Sequence, residues 1–239
     1  MHHALKILAA LALTLSPLAG REALGQPAGT FVPRSAAATG RPSALTRELH
    51  RAEVAFRSGS SLLEAKARLD RVLAADPDDA DARRLRAHVL LAQGRPDAAL
   101  EDADRAADLR PADAEALLLV CEAARLTGAR AHALAALERV ARLTVRDATL
   151  HARLAWNAAE LGDLERAEAF ARIAVQQDAQ LPAAYLQLAR VFVLQRQDEA
   201  AAATLVRGVQ ARAIDRRRIQ DDDLLRRLAD HPDVRRALR

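Results

Sequence analysis

Residues 76–111 read DPDDADARRLRAHVLLAQGRPDAALEDADRAADLRP, and this stretch decides the fold. Pro77 and Pro111 lie 34 residues apart, Gly94 falls near the middle, and each half carries Ala and Leu at helical spacing. The pattern is that of two helices joined by a glycine turn. Stepping along the chain by 34 residues finds it again. Gly94, Gly128 and Gly162 are in register, Arg196 takes the glycine's place in the last copy, and Gly59 is one residue out of step. Ala87, Cys121, Ala155 and Ala189 form a second series of small residues. Ala65, Ala99, Ala133, Ala167 and Ala201 form a third, and Val72, Ala106, Val140, Ala174 and Gly208 a fourth.

Composition suits such an array. Hydrophobic residues make up 51% of the chain but aromatics only 3%, so the interior must be built from Ala, Leu and Val, as closely packed helices are. A net charge of +4 and a pI near 10.1 invite a nucleic-acid reading, so the location of the charge matters. Residues 46–206 hold 22 Lys+Arg and 25 Asp+Glu, a balance of −3, whereas residues 207–239 hold 10 Arg and 6 Asp, a balance of +4. The repeats are mildly acidic, and no nucleic-acid partner is expected. Cys121 is the only cysteine, which excludes an intramolecular disulfide and a thiolate metal cluster.

Residues 1–25 place Lys6 before an apolar run from Ile7 to Leu15, followed by Ser16, Pro17 and small residues. The run is too short to span a bilayer and has the three-part pattern of a secretory signal, with cleavage expected before Gln26 or after Gly20. An exported protein, periplasmic or secreted, without stable membrane insertion is the resulting expectation. Residues 26–45 are rich in Pro, Gly, Ala and Ser and read as a flexible linker. Five helical hairpins are then expected over 46–79, 80–113, 114–147, 148–181 and 182–213. The small residue of each first helix lets the two backbones approach, the glycine permits a left-handed turn, and proline stops the second helix. Asp76, Asp78 and Asp113 are available as caps. Residues 214–239 place Leu224, Leu225 and Leu228 on one apolar stripe and Val234 with Leu238 on another, as a helical cap on the last hairpin requires.

The order of small residue, glycine, alanine and proline on a 34-residue period resembles the tetratricopeptide repeat over about residues 46–213. Copies depart from it where Arg83 and His151 replace a large apolar residue, and where Glu53 occupies the small position of the first copy. The resemblance implies an all-α, right-handed superhelical solenoid of about five repeats with a C-terminal capping helix. It also implies that the first helices line a concave groove holding a protein partner. Its lining would include His50, Val54 and Arg57, with Arg84, His88, Glu122, Arg125, Trp156 and Arg190 as the partner-binding set. Trp156 lies off the Leu150, Leu154, Leu161 stripe and reads equally as an exposed anchor or as a filler against a neighbouring repeat. The clamp by which some members grip a chaperone C-terminus is not matched, since Asn157 is the only asparagine and Lys66 falls on a second helix.

Catalytic chemistry has no foothold in the sequence. The histidines lack metal-ligand spacing, and no phosphate-binding glycine loop or GxSxG occurs. Cys121 occupies a close-packing position and reads as a structural thiol. No cofactor and no enzymatic activity are expected. The leading expectation is a protein-interaction scaffold serving a secretion, pilus or polysaccharide-export complex of the cell envelope. A self-assembling structural protein and an accessory recognition subunit of an envelope enzyme stand as alternatives.

Overall fold

The computed structural model describes residues 43–59 and 61–239. The segment read as a secretory signal and almost all of that read as a linker lie outside the described residues. Ten helices follow in five hairpins: α1 Ser43–Arg57 with α2 Leu62–Ala75, α3 Ala80–Ala92 with α4 Pro96–Leu109, α5 Ala114–Leu126 with α6 Arg130–Ala141, α7 Ala148–Glu160 with α8 Leu164–Gln177, and α9 Pro182–Leu194 with α10 Asp198–Gln210. The first helix begins at Ser43, so 43–45, read as linker, are helical. Among the described residues there is no strand.

The start of the second, third and fourth hairpins is set by an aspartate on the 34-residue step. Asp79 accepts from the N–H groups of Asp81 and Ala82 at 3.1 and 3.0 Å, Asp113 from Glu115 and Ala116 at 3.1 Å each, and Asp147 from Leu150 at 3.0 Å. Each cap satisfies helix-terminal donors that would otherwise be orphaned, a contribution of about 1 kcal/mol. Asp79, not Asp76 or Asp78, caps α3; Asp76 instead ends α2. In the fifth hairpin Leu181 stands at the cap and Pro182 opens α9 in its place.

Turns close each hairpin through a left-handed residue: Gly59, Gly94, Gly128 and Gly162 have φ between +65° and +80°. Arg196 takes the same conformation at φ 63°. All members of the small-residue series are sealed in the core, Ala87, Cys121, Ala155 and Ala189 at 0% exposure. The first hairpin corrects the sequence register. Ala52, not Glu53, is the fully buried small residue, and it precedes Gly59 by the seven residues that separate Ala87 from Gly94. The extra residue therefore lies in the turn between Gly59 and Leu62, and α1 keeps the repeat's internal spacing.

The cap differs from a single helix. It consists of α11 Arg216–Gln220, a 3-10 helix Arg226–Asp230 and α12 Pro232–Ala237. Asp222 accepts from the N–H groups of Leu224 and Leu225 at 3.0 and 3.2 Å and starts a new turn there, and Pro232 begins another. Ile219, Leu225, Leu228, Ala229 and Val234 are all buried and continue the core of the last four hairpins. The burial is what the exposed face of a terminal hairpin demands. One seam is unlike the others: α4 packs along α5 and α8 along α9, but α6 barely touches α7.

Candidate functional site

Adjacent first helices touch one another, α1 on α3, α3 on α5, α5 on α7 and α7 on α9, whereas second helices of neighbouring hairpins make no comparable contact. The tighter row is the inside of the curve, so the first helices form a concave wall. His88, Glu122, Trp156 and Arg190 occupy equivalent places on α3, α5, α7 and α9, one per hairpin. The expected members His50, Val54 and Arg57 are displaced by the one-residue shift. Glu53 and Phe56 take their place, the Phe56 ring lying 5.9 Å from that of His88. Val54 is 52% exposed.

A continuous polar ladder crosses this wall. His88 Nε2 lies 2.9 Å from Glu115 Oε1. Arg153 donates to the same oxygen at 2.7 Å, and to both oxygens of Glu122 at 3.2 and 2.8 Å. Asn157, fully buried, donates to Glu122 at 3.4 Å and to the Arg153 carbonyl at 2.9 Å, and accepts from Arg125 Nε at 2.9 Å. Burial alone would raise the Glu115 carboxyl, but Arg153 and His88 more than offset it and hold the group well below the usual carboxylate range. Arg153, Glu115 and Asn157 were absent from the site read in the sequence, and with Glu122 they join the third hairpin to the fourth above their shared apolar core.

Trp156 packs against the neighbouring hairpin. Its ring is half-buried, and the Arg190 guanidinium lies over it at 4.2 Å from the centroid. Arg190 also donates to Asp222 at 3.3 Å, so the cap is tied to the concave wall through the indole. Burial lowers the Arg190 pKa, with Asp222 and Glu160 opposing that effect. Arg190 is thus committed to the fold and is not a free anchor for an acidic partner. Arg84 is likewise engaged, with Asp113 at 3.1 Å and Asp81 at 3.5 Å. Arg125 keeps its outer nitrogens uncommitted and has no acidic partner among the described residues. Beside these, the first helices end on exposed apolar side chains, Leu126 at 53% and Leu194 at 42%.

Reactive chemistry is not assembled at this wall. Among the described residues no group of three or more His, Cys, Asp and Glu side chains could hold a metal ion. Cys121 is buried, and burial, followed by the nearby Glu122 carboxylate, pushes its thiol up to about 12. Among the described residues no helix is long and apolar enough to cross a membrane.

Comparison with known proteins agrees with this geometry. No family model matches the chain, and no curated protein matches its sequence. Solved structures do superpose on it. PilW, described as a widely conserved type IV pilus biogenesis factor, matches with a TM-score of 0.67 at 19% identity, over 83% of this chain and 90% of its own. TTC0263, described as a thermophilic TPR protein in Thermus thermophilus, matches at 0.57 and 22% identity, over 77% and 97%. YrrB, described as a TPR protein with an unusual peptide-binding site, matches at 0.54 and 18% identity, over 76% and 89%. At these identities the likeness is one of backbone, and the backbone of this chain is a tetratricopeptide-repeat solenoid.

Proposed function

We propose that this protein is a non-enzymatic, exported scaffold that holds a segment of a protein partner along its concave wall, in the assembly or regulation of a cell-envelope complex. The single observation that carries the reading is Trp156. It stands on the fourth of the five first helices, its face pinned by Arg190 while part of its surface remains open. A large aromatic fixed before binding loses little entropy on contact, the property expected of a binding hot spot. Arg125, one hairpin away, supplies a cation with spare donors for an acidic or carbonyl group of the partner. Leu126 and Leu194 add apolar contact at the groove's edge. Peptide binding by YrrB and pilus biogenesis by PilW are properties of those proteins, and they support the choice of partner class.

The test is crosslinking in cells followed by capture of the chain, beside a Trp156→Ala, Arg125→Ala variant shown by circular dichroism to be folded. Loss of Trp156 should weaken partner binding by more than about 1 kcal/mol. Partners lost from the variant alone support the groove, and a captured chain beginning at Gln26 supports export. Recovery of the same partners by both forms overturns the groove, and an intact leader on the captured chain overturns export.

A further inference from the structure

The C-terminal cap carries a cation cluster that the concave wall does not use. Arg212, Arg216, Arg218 and Arg239 line one open cavity of about 660 Å³ between the end of α10 and the end of α12. All four are exposed, and among the described residues none has an ion-pair partner. Among the described residues, unpaired arginines such as Arg95, Arg130 and Arg146 occur singly along the array, and many others are held. Arg86 is held by Asp70 and Asp102, Arg110 by Asp81, and Arg153 by two glutamates. Within the cap itself Arg217, Arg227 and Arg236 face Asp221, Asp198 and Asp233. Asp215 is the acidic side chain on the cavity wall, and its carboxylate accepts the Arg218 backbone N–H at 2.9 Å.

The cluster is held in place by the fold. Ile219 and Val234, both fully buried, fasten α11 and α12 to the core, which fixes the backbone beneath Arg216, Arg218 and Arg239. Arg212 sits at φ 57°, a left-handed conformation that glycine adopts without strain. That conformation ends α10 as Arg196 ends α9, with the Ala213 N–H bonded to the Gly208 carbonyl at 2.9 Å, and it brings Arg212 to the rim shared with the other three arginines. Guanidinium forks from separate segments match the oxygens of a phosphoryl group, each able to take two. No aromatic ring lines the cavity, so it lacks the stacking platform that single-stranded nucleic acid uses.

We propose that this cavity is a binding site for a phosphoryl anion, taken from the headgroup of an anionic phospholipid or from a soluble phosphorylated ligand. The site is separate from the concave wall and does not depend on the role given to it. The test uses the protein from Gln26 onward, an Arg212→Ser, Arg216→Ser, Arg218→Ser variant, and an Arg95→Ser, Arg130→Ser, Arg146→Ser control that removes the same charge from exposed positions of the array. Circular dichroism checks all three, and an Arg216→Ser, Arg239→Ser pair replaces the triple variant if that one is misfolded. Three probes are applied: phosphatidylcholine vesicles with and without phosphatidylglycerol, in a sedimentation assay, and inorganic phosphate and a single-stranded oligonucleotide, by calorimetry.

Each surface arginine near an anionic membrane is worth roughly a fivefold change in partitioning, so the cavity variant should lose roughly a hundredfold while the control keeps most of its binding. Vesicle binding that follows this pattern assigns the lipid headgroup. Phosphate binding lost in the cavity variant, without vesicle binding, assigns a soluble ligand to the same site. An equal loss in cavity variant and control, binding of neither probe, or tighter binding of a single-stranded oligonucleotide than of both overturns the proposal.

Discussion

Replacing Arg153 by methionine should destabilise the array strongly at neutral pH and much less in acid. The side chain is 14% exposed, and it is shared between Glu115 and Glu122, which are 25% and 8% exposed. Methionine fills a similar volume, so the loss is that of the cation and leaves two carboxylates with reduced compensation. Breaking a buried ion pair from one side costs about 3–5 kcal/mol. At a few degrees per kcal/mol for a chain of this size, the thermal midpoint should fall by roughly 10 °C. The pH dependence follows from Glu115. Its folded pKa is depressed in the native protein, so its contribution is present above the unfolded value and is lost as pH falls through the folded one. Without Arg153 the burial that opposes ionisation prevails, the folded pKa rises, and the variant recovers stability as the carboxyl is protonated. Circular-dichroism melts of both proteins from pH 7 to pH 4 measure the gap. A cost below about 1 kcal/mol at pH 7, or a cost that does not shrink toward pH 4, refutes the reasoning.

Arg196→Gly should stabilise the protein: glycine holds the same left-handed turn without the Cβ strain, which relieves about 1 kcal/mol, of which its greater freedom in the unfolded chain takes back roughly half. Urea titration reads the difference, and a lower midpoint for the glycine variant contradicts the strain argument. Cys121, buried and with its thiol raised to about 12, should stay unlabelled by a thiol-specific reagent at pH 8 until denaturant is added. Labelling of the folded protein at the rate of an exposed thiol is the contrary result.

The period made the architecture legible, because close packing at Ala87, Cys121, Ala155 and Ala189 and a left-handed turn at each glycine are demands that only certain residue types meet. The same period misplaced α1. A single additional turn residue moves every later position by one, and spacing counted back from Gly94 lands on Glu53 where the structure buries Ala52. The site was legible by position but not by state. His88, Glu122, Trp156 and Arg190 do share one wall, yet whether an arginine is spare or spent depends on partners distant in sequence. Asp222 lies 32 residues beyond Arg190, past a tail whose turns no periodicity describes. Arg153 did leave a trace. One period earlier it maps onto Leu119, midway between Glu115 and Glu122, which is the place from which a cation reaches both. The cap's break at Pro232 showed in the two apolar stripes that flank it, whereas the turn started by Asp222 lay inside the leucine stripe and left no periodic signal.

The thin contact between α6 and α7 gives the solenoid an unequal elasticity. On the inner side the third and fourth hairpins are laced by Arg153, Glu115, Glu122 and Asn157, which behave as a cord of fixed length. On the outer side almost nothing has to be parted. Such a joint is fastened along the groove and thin across its back, so the strength that holds the two halves together is carried on the side where Arg125 and Trp156 lie.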